Sequence, residues 1–364
     1  MSKRSPASWG SDQHMSAPLR PQQAAGPLGQ DLAGDAAAGD PSRELVEPLH
    51  REVRFRLSVP ATSANLGPGY DSLGLALEWR DEIQVIARPR RDPARAAVSV
   101  VVLGEGAAEL PTDASHLVIA AAEQILQTKG YLLPDLEVRA ENTIPHSRGL
   151  GSSAAAIATA VITADQLIPG GLTADEQLQI GSQFEGHPDN YVPALRGGVA
   201  VSWIAGEATD PVFRTAPLSV HPQLRCVLGV PSAQQSTQRA RDLLPSTVPH
   251  GQAAKNSSRA ALLVHALTTD PAMLLEATED YLHQQYRRQA FPESMAVVEA
   301  LREQGFAAVI SGAGPAVLVL TTSDQARSAV SAIEQFTAQH PGEDTFVPRN
   351  LPIAASGATV EALR

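Results

Sequence analysis

Apolar residues alternate with polar ones in some stretches of this chain and recur at helical spacing in others. Val53-Arg54-Phe55-Arg56-Leu57-Ser58-Val59-Pro60 alternates with period two and predicts a strand. Strands are predicted likewise over 81–87, 97–102, 135–140, 197–203 and 224–230, on both sides of Ser311-Gly312-Ala313-Gly314-Pro315, and within 352–362. Helical spacing predicts helices over 115–129 (ended by Gly130), from Ala154 through Ala164, and from the capping pattern Thr173-Ala174-Asp175-Glu176 to about Phe184. Further helices are predicted over about 259–267, 271–279, 293–304 and 326–335. Strand and helix runs mix instead of alternating strictly, which favours an α+β fold over a doubly wound sheet. No internal repeat is visible.

Residues 1 to about 50 carry little periodic hydrophobicity, so they are predicted to form a disordered extension that cannot offset its ordering entropy. The softer, polar stretch 206–217 is the expected boundary between two domains, 51–210 and 211–364. A chain of 364 residues is long enough for two cored domains, and its 43% hydrophobic and 18% charged content is that of a globular protein. A net charge of −11 argues against nucleic acid or an anionic membrane as partner, so an anionic substrate needs locally placed arginines. The sole cysteine, Cys226, excludes an internal disulfide and suits a reducing compartment; within Leu224-Arg225-Cys226-Val227-Leu228 it reads as a buried structural thiol. No apolar run reaches membrane-spanning length, and no signal-type core follows Met1-Ser2-Lys3-Arg4, so a cytoplasmic location is expected.

The most informative stretch is Pro145-His146-Ser147-Arg148-Gly149-Leu150-Gly151-Ser152-Ser153-Ala154-Ala155, which runs straight into the alanine-rich helix. Ser152 and Ser153 occupy expected N-cap positions. A helix N-terminus offers free N–H groups and a positive dipole end, and glycines let the backbone approach a phosphate chain closely. Serine hydroxyls can reach a phosphate oxygen or a magnesium ion. A glycine-rich turn before a packing helix would use the same residue types. The run is neither a P-loop, since no lysine follows its glycines, nor a GxGxxG dinucleotide fingerprint.

This run resembles the phosphate-binding motif of the GHMP kinases. Three further stretches resemble the homoserine kinase branch. Pro60-Ala61-Thr62-Ser63-Ala64-Asn65-Leu66-Gly67-Pro68-Gly69-Tyr70-Asp71-Ser72-Leu73-Gly74-Leu75-Ala76-Leu77 is similar to that branch's SANLGxGFDxLGLAL signature, with Tyr70 where phenylalanine is usual. Glu185-Gly186-His187-Pro188-Asp189-Asn190-Tyr191-Val192-Pro193-Ala194-Leu195-Arg196-Gly197-Gly198 is similar to EGHxDNxxPAxxGG, on what reads as an irregular segment. Ser236-Thr237-Gln238-Arg239-Ala240-Arg241 and Leu282-His283-Gln284-Gln285-Tyr286-Arg287-Arg288 match two arginine-bearing stretches, and 311–315 resembles a third superfamily motif that supports the nucleotide loop. Taken alone, such short polar side chains on loops are more often turn formers, and such arginines are usually solvated.

The resemblance implies a two-domain GHMP kinase fold, an N-terminal ATP-binding domain followed by a ferredoxin-like α+β domain, in a homodimer. It implies transfer of a phosphoryl group from ATP to the hydroxyl of L-homoserine, for threonine synthesis. By resemblance, 145–155 binds ATP, and Ser153 with Glu185 holds magnesium. Asn65 and Asp71 meet the amino acid, an aspartate suiting its ammonium; His187 also contacts it, and Arg241 and Arg287 grip its carboxylate. Arg239 and Arg288 stand beside these as competitors. Thr237 lies near the reacting hydroxyl and Asn190 near the transferred phosphoryl, while Asp189 either orients or removes the hydroxyl proton. A kinase of the same superfamily for mevalonate or a sugar, and a non-catalytic binding protein of the same fold, are the competing readings.

Overall fold

The computed structural model of the protein describes residues 45–207, 209–234, 237–340 and 344–364. The extension expected over 1–50 lies almost wholly outside the described residues.

Two sheets carry the fold. The first gathers β1 (Val53–Ala64), β2 (Leu73–Arg88), β3 (Val98–Gly104), β4 (Asp135–Asn142), β5 (Val199–Glu207) and β6 (Asp210–Leu218). The chain's last strand, β11 (Thr359–Ala362), joins them at the edge of β1. The order is β11-β1-β2-β4-β3, with β5 pairing the start of β2 and β6 pairing β5. Only β3 and β4 run parallel within it; the other pairs are antiparallel. Alternation in β1 sends Phe55 and Leu57 to the core and Arg54 and Arg56 to solvent.

On the inner face pack α1 (Leu117–Thr128), α2 (Ser152–Leu167) and α4 (Pro188–Arg196), with α3 (Ala174–Glu185) against α2 and α4. Helix α2 buries most of its length, and its alanines let α1 and α4 come close on either side. Helix α3 starts with the predicted capping box: Thr173 Oγ1 accepts from the Glu176 N–H, and Glu176 accepts from the Thr173 N–H.

The second sheet is antiparallel and is built from β7 (Leu224–Pro231), β8 (Ala307–Ile310), β9 (Val317–Thr322) and β10 (Phe346–Leu351). Between β7 and β8 come α5 (Thr237–Asp242), α6 (His250–Thr268), α7 (Leu274–Ala277) and α8 (Pro292–Glu303), and α9 (Ala326–Gln339) precedes β10. The strand order β10-β7-β9-β8, with α8 and α9 packed on the sheet, is the split βαβ arrangement of a ferredoxin-like unit. Cys226 is fully buried in β7, and burial pushes its thiol up to about 12.

Four expectations change. The segment after His187 is a helix, α4, not irregular chain: Pro188 sits at its first position, where no N–H is needed. Gly151, in the left-handed region at φ 69°, is the N-cap of α2, so Ser152 and Ser153 lie inside its first turn. The span 271–279 is a 3₁₀ turn (Pro271–Met273) followed by the one-turn α7. The polar stretch at 206–217 is the β5–β6 hairpin, so a division at residue 210 would cut through the first sheet.

Candidate active site

The glycine loop is the first wall. Positive φ at Ser147, Gly149 and Gly151 coils it tightly before α2. The Ser152, Ser153 and Ala154 N–H groups have no intrahelical acceptor, and Gly151 offers no side chain to cap them. Both glycines are required sterically as well. A Cβ on Gly151 would lie 1.8 Å from Thr62 Oγ1 and 3.3 Å from Asn190 Oδ1, and one on Gly149 would lie 2.1 Å from the Ser311 carbonyl. Ser311 Oγ donates to the Gly149 carbonyl (2.7 Å), and the Ala316 N–H donates to the Arg148 carbonyl, so the segment around 311–316 braces the loop. Pro145, Leu150, Ala154 and Ala155 are buried, while the Ser147 side chain is exposed. The Arg148 guanidinium is spent on the carbonyls of His146, Pro231 and Ser232. Burial pushes the His146 imidazole pKa down.

Asp81 secures the entry to this loop. Its Oδ1 accepts from both the Thr143 and Ile144 N–H groups (2.6 and 2.9 Å), and burial raises its pKa from 3.8 to about 6. A raised carboxyl pKa means the native state binds more protons, so stability falls as pH climbs from about 4 through 6. A shift of this size corresponds to a cost on the order of 3 kcal/mol above pH 7. An asparagine Oδ1 can accept the same two bonds without the buried charge. Asp81→Asn is therefore expected to raise the melting temperature at pH 8 and leave it unchanged at pH 4; a drop at pH 8 in thermal unfolding would contradict this.

Ser153 Oγ donates to Glu185 Oε1 (2.6 Å), joining the first turn of α2 to the end of α3. Burial raises the Glu185 pKa, against the pull of His187 and of the Ser153 bond. Next to it, the N-terminus of α4 carries His187, Asp189 and Asn190. His187 Nδ1 lies 2.8 Å from Asp189 Oδ1, which also accepts from the Asn190 N–H at 3.0 Å. Burial disfavours both charges, yet the pair overrides it: His187 is shifted up and Asp189 down. Asn190 Oδ1 accepts from Thr62 Oγ1 (2.9 Å).

The third wall is the loop after β1. Asn65, Leu66, Gly67 and Asp71 all have positive φ. Asn65 Nδ2 donates to the Gly312 carbonyl and Asn65 Oδ1 accepts from the Asp71 N–H, so both ends of this buried amide hold backbone. Asp71 makes a two-oxygen ion pair with Arg241 (2.8 and 3.3 Å), whose Nη1 also donates to Tyr70 OH (3.0 Å). Asp71, His187 and Asp189 offer ligand atoms within 4.8 Å of one another, which closes the circuit between this loop and α4.

The structure discriminates between the paired arginines. Arg241 and Arg287 both face the Tyr70 ring, at 5.8 and 5.4 Å from its centroid, whereas Arg239 is exposed and Arg288 pairs with Glu299 at the surface. The side chain of Thr237 lies outside the described residues. Sequence reading missed Thr62, Tyr70, Asp81 and Ser311 as site residues. All but Asp81 lie inside the motif stretches, but their parts rest on partners remote in sequence.

A tightly coiled glycine loop opening a helix with free N–H groups, a serine–carboxylate pair beside it and two arginines around Tyr70, on an α+β frame, fit a small-molecule kinase of the GHMP type. Family models agree: GHMP kinases N terminal domain matches residues 116–198, and GHMP kinases C terminal matches 261–339. The chain is 48% identical over 269 residues to a homoserine kinase of Mycobacterium sp. (strain KMS), covering 73% of this chain and 84% of that one. It is 42% identical over 312 residues to a homoserine kinase of Clavibacter michiganensis subsp. michiganensis, covering 85% and 95%. In fold it is similar to the crystal structure of homoserine kinase from Cytophaga hutchinsonii, with a TM-score of 0.73 at 24% identity over 85% of this chain and 97% of that one. The chain belongs to the homoserine kinase family.

Proposed function

We infer that this protein transfers the γ-phosphoryl group of ATP to the hydroxyl of L-homoserine, giving O-phospho-L-homoserine and ADP. The observation that carries the reading is the placement of charges. One carboxylate (Asp71) and two guanidiniums (Arg241, Arg287) meet around Tyr70, a set matched to an α-amino acid and to neither mevalonate nor a neutral sugar. That set adjoins the Ser153–Glu185 pair at the N-terminus of α2 through His187 and Asp189.

The free N–H groups at Ser152–Ala154 and the α2 dipole would hold the triphosphate. Ser153 Oγ and the Glu185 carboxylate are hard oxygen donors that fit magnesium, an ion that completes its shell with phosphate oxygens and water. When bound, that cation neutralises charge on the transferring group. The remaining work is positioning, the main demand of phosphoryl transfer. The substrate oxygen bonds to the γ-phosphorus as the bond to the β-phosphate oxygen breaks, with Asn190 beside the transferred group, and the hydroxyl proton passes to an oxygen of the transferred phosphoryl group and from there to water. Asp189 is a poor base, because His187 pulls its pKa below the ordinary carboxylate value, which makes it a weak proton acceptor, and its Oδ1 already faces two partners. It orients His187 toward the substrate. Asp189→Asn is accordingly expected to lower kcat by less than about tenfold; a loss of several orders would make Asp189 the base.

ADP release measured with ATP and magnesium, comparing L-homoserine with mevalonate, galactose and L-threonine, tests the whole reading. Turnover on homoserine alone supports it; turnover on another alcohol overturns the amino-acid assignment. No described helix is long and apolar enough to cross a membrane. A cytoplasmic homodimer is the arrangement proposed by resemblance, and sedimentation of the purified chain checks the stoichiometry.

A further inference from the structure

We infer that His283 is a positioning residue for the substrate carboxylate, joining Arg287 to the loop that carries Asp71. The inference rests on the reading of Arg287 as a carboxylate contact.

Arg287 is a cation only 2% exposed that makes no ion pair among the described residues. Its Nε donates to the Ala240 carbonyl (3.0 Å), its guanidinium lies over Tyr70, and its Nη1 lies 3.4 Å from His283 Nδ1. His283 is itself 1% exposed, and its Nε2 is 2.8 Å from the Gly67 carbonyl. A carbonyl only accepts, so Nε2 carries the proton. Nδ1 of a neutral ring is then an acceptor, which is what an arginine N–H requires. Burial lowers the His283 pKa and Arg287 adds to the effect, which keeps the ring neutral. Asp280 lies 3.7 Å away, but its carboxylate accepts from the N–H groups of Leu282, His283 and Gln284.

The imidazole therefore has a fixed direction, donating to the Asp71 loop and accepting from Arg287. It sets the spacing between the group facing the ammonium and the group facing the carboxylate. Asn256, whose Nδ2 donates to the Pro68 carbonyl, and Gln284, whose Oε1 accepts from the Ile310 N–H, pin the same region without touching either charged group.

Two near-isosteres separate the two bonds. Asparagine at 283 places its oxygen near the Nδ1 position and keeps the acceptor for Arg287. Glutamine places its amide near Nε2 and keeps the donor to Gly67 but loses that acceptor. Steady-state kinetics of the full chain with His283→Asn, His283→Gln, His283→Ala and Arg287→Ala tests the inference. The KM for homoserine is expected to rise about tenfold for His283→Gln and His283→Ala, the size of one lost buried bond, and less than about threefold for His283→Asn. The KM for ATP and kcat stay within twofold for the three His283 variants. Equal effects of His283→Asn and His283→Gln, or changes in kcat and both KM values that track thermal stability, would overturn the inference. Should His283→Ala fail to fold, the asparagine–glutamine contrast still decides. If Arg287→Ala leaves the KM for homoserine unchanged, the carboxylate reading fails, and the inference with it. If Arg287→Ala raises that KM and the His283 variants do not, the inference alone fails.

Discussion

Replacing Glu185 with glutamine is expected to lower kcat by about three orders of magnitude while leaving the fold as stable as before, or more so. The two effects have one origin. Burial holds the Glu185 carboxyl pKa up, so its charge carries a desolvation cost. A glutamine Oε1 still accepts from Ser153 Oγ, the bond that ties α2 to α3, and it escapes that cost. It also withdraws the negative ligand proposed for the cation on the triphosphate, a loss of about 4 kcal/mol if the ion's hold on the transition state goes with it. The sign with pH follows from the raised pKa. Stability conferred by the glutamine should appear above the ordinary carboxylate range and vanish near pH 4, where the native carboxyl is already protonated. Turnover at saturating ATP and homoserine, with melting temperatures at both pH values, measures both effects. A variant that lost activity and stability together would place Glu185 among the residues that build the fold instead.

What the sequence makes legible follows the physics of each segment. Alternation announces β1 as far as Pro60 and then stops, although the strand runs on to Ala64, because Ala61–Ala64 are buried on both faces and alternation reports a half-buried strand. Strand β6 escapes notice because Pro211, Pro217 and charged residues mark it as a loop, and an edge strand tolerates all of them. Helix α4 hides behind two prolines, one at its first position and one, Pro193, in its interior. The family resemblance leads to Arg241 and Arg287, but only the fold separates Arg241 from Arg239 two positions away, by bringing Asp71 and Tyr70 against one and leaving the other in solvent. Asn65 shows the limit of spacing from the other side: it stands in the loop that the motif marks, yet its amide is committed to Gly312 and to Asp71.

The Asp71–Arg241 pair yields the second large effect, because these two charges satisfy each other within the protein. A homoserine zwitterion would enter by splitting them, its ammonium taking Asp71 and its carboxylate taking Arg241. Arg241→Gln alone is expected to weaken homoserine affinity about a hundredfold, the scale of a lost charge-assisted contact in a partly enclosed site. Each single substitution also frees its partner from the internal pair, which returns part of the loss. The double substitution with Asp71→Asn forfeits both contacts and has no pair left to split. Its loss should therefore exceed the product of the two single losses, by about two- to fivefold for a pair as exposed as this one. Calorimetric titration of homoserine into the four proteins, each held with ADP, measures this directly. If the pair stayed closed and the amino acid bound elsewhere, the second substitution would add little to the first and the product would be undershot. An excess over the product is the signature of a substrate that replaces both halves of an internal ion pair.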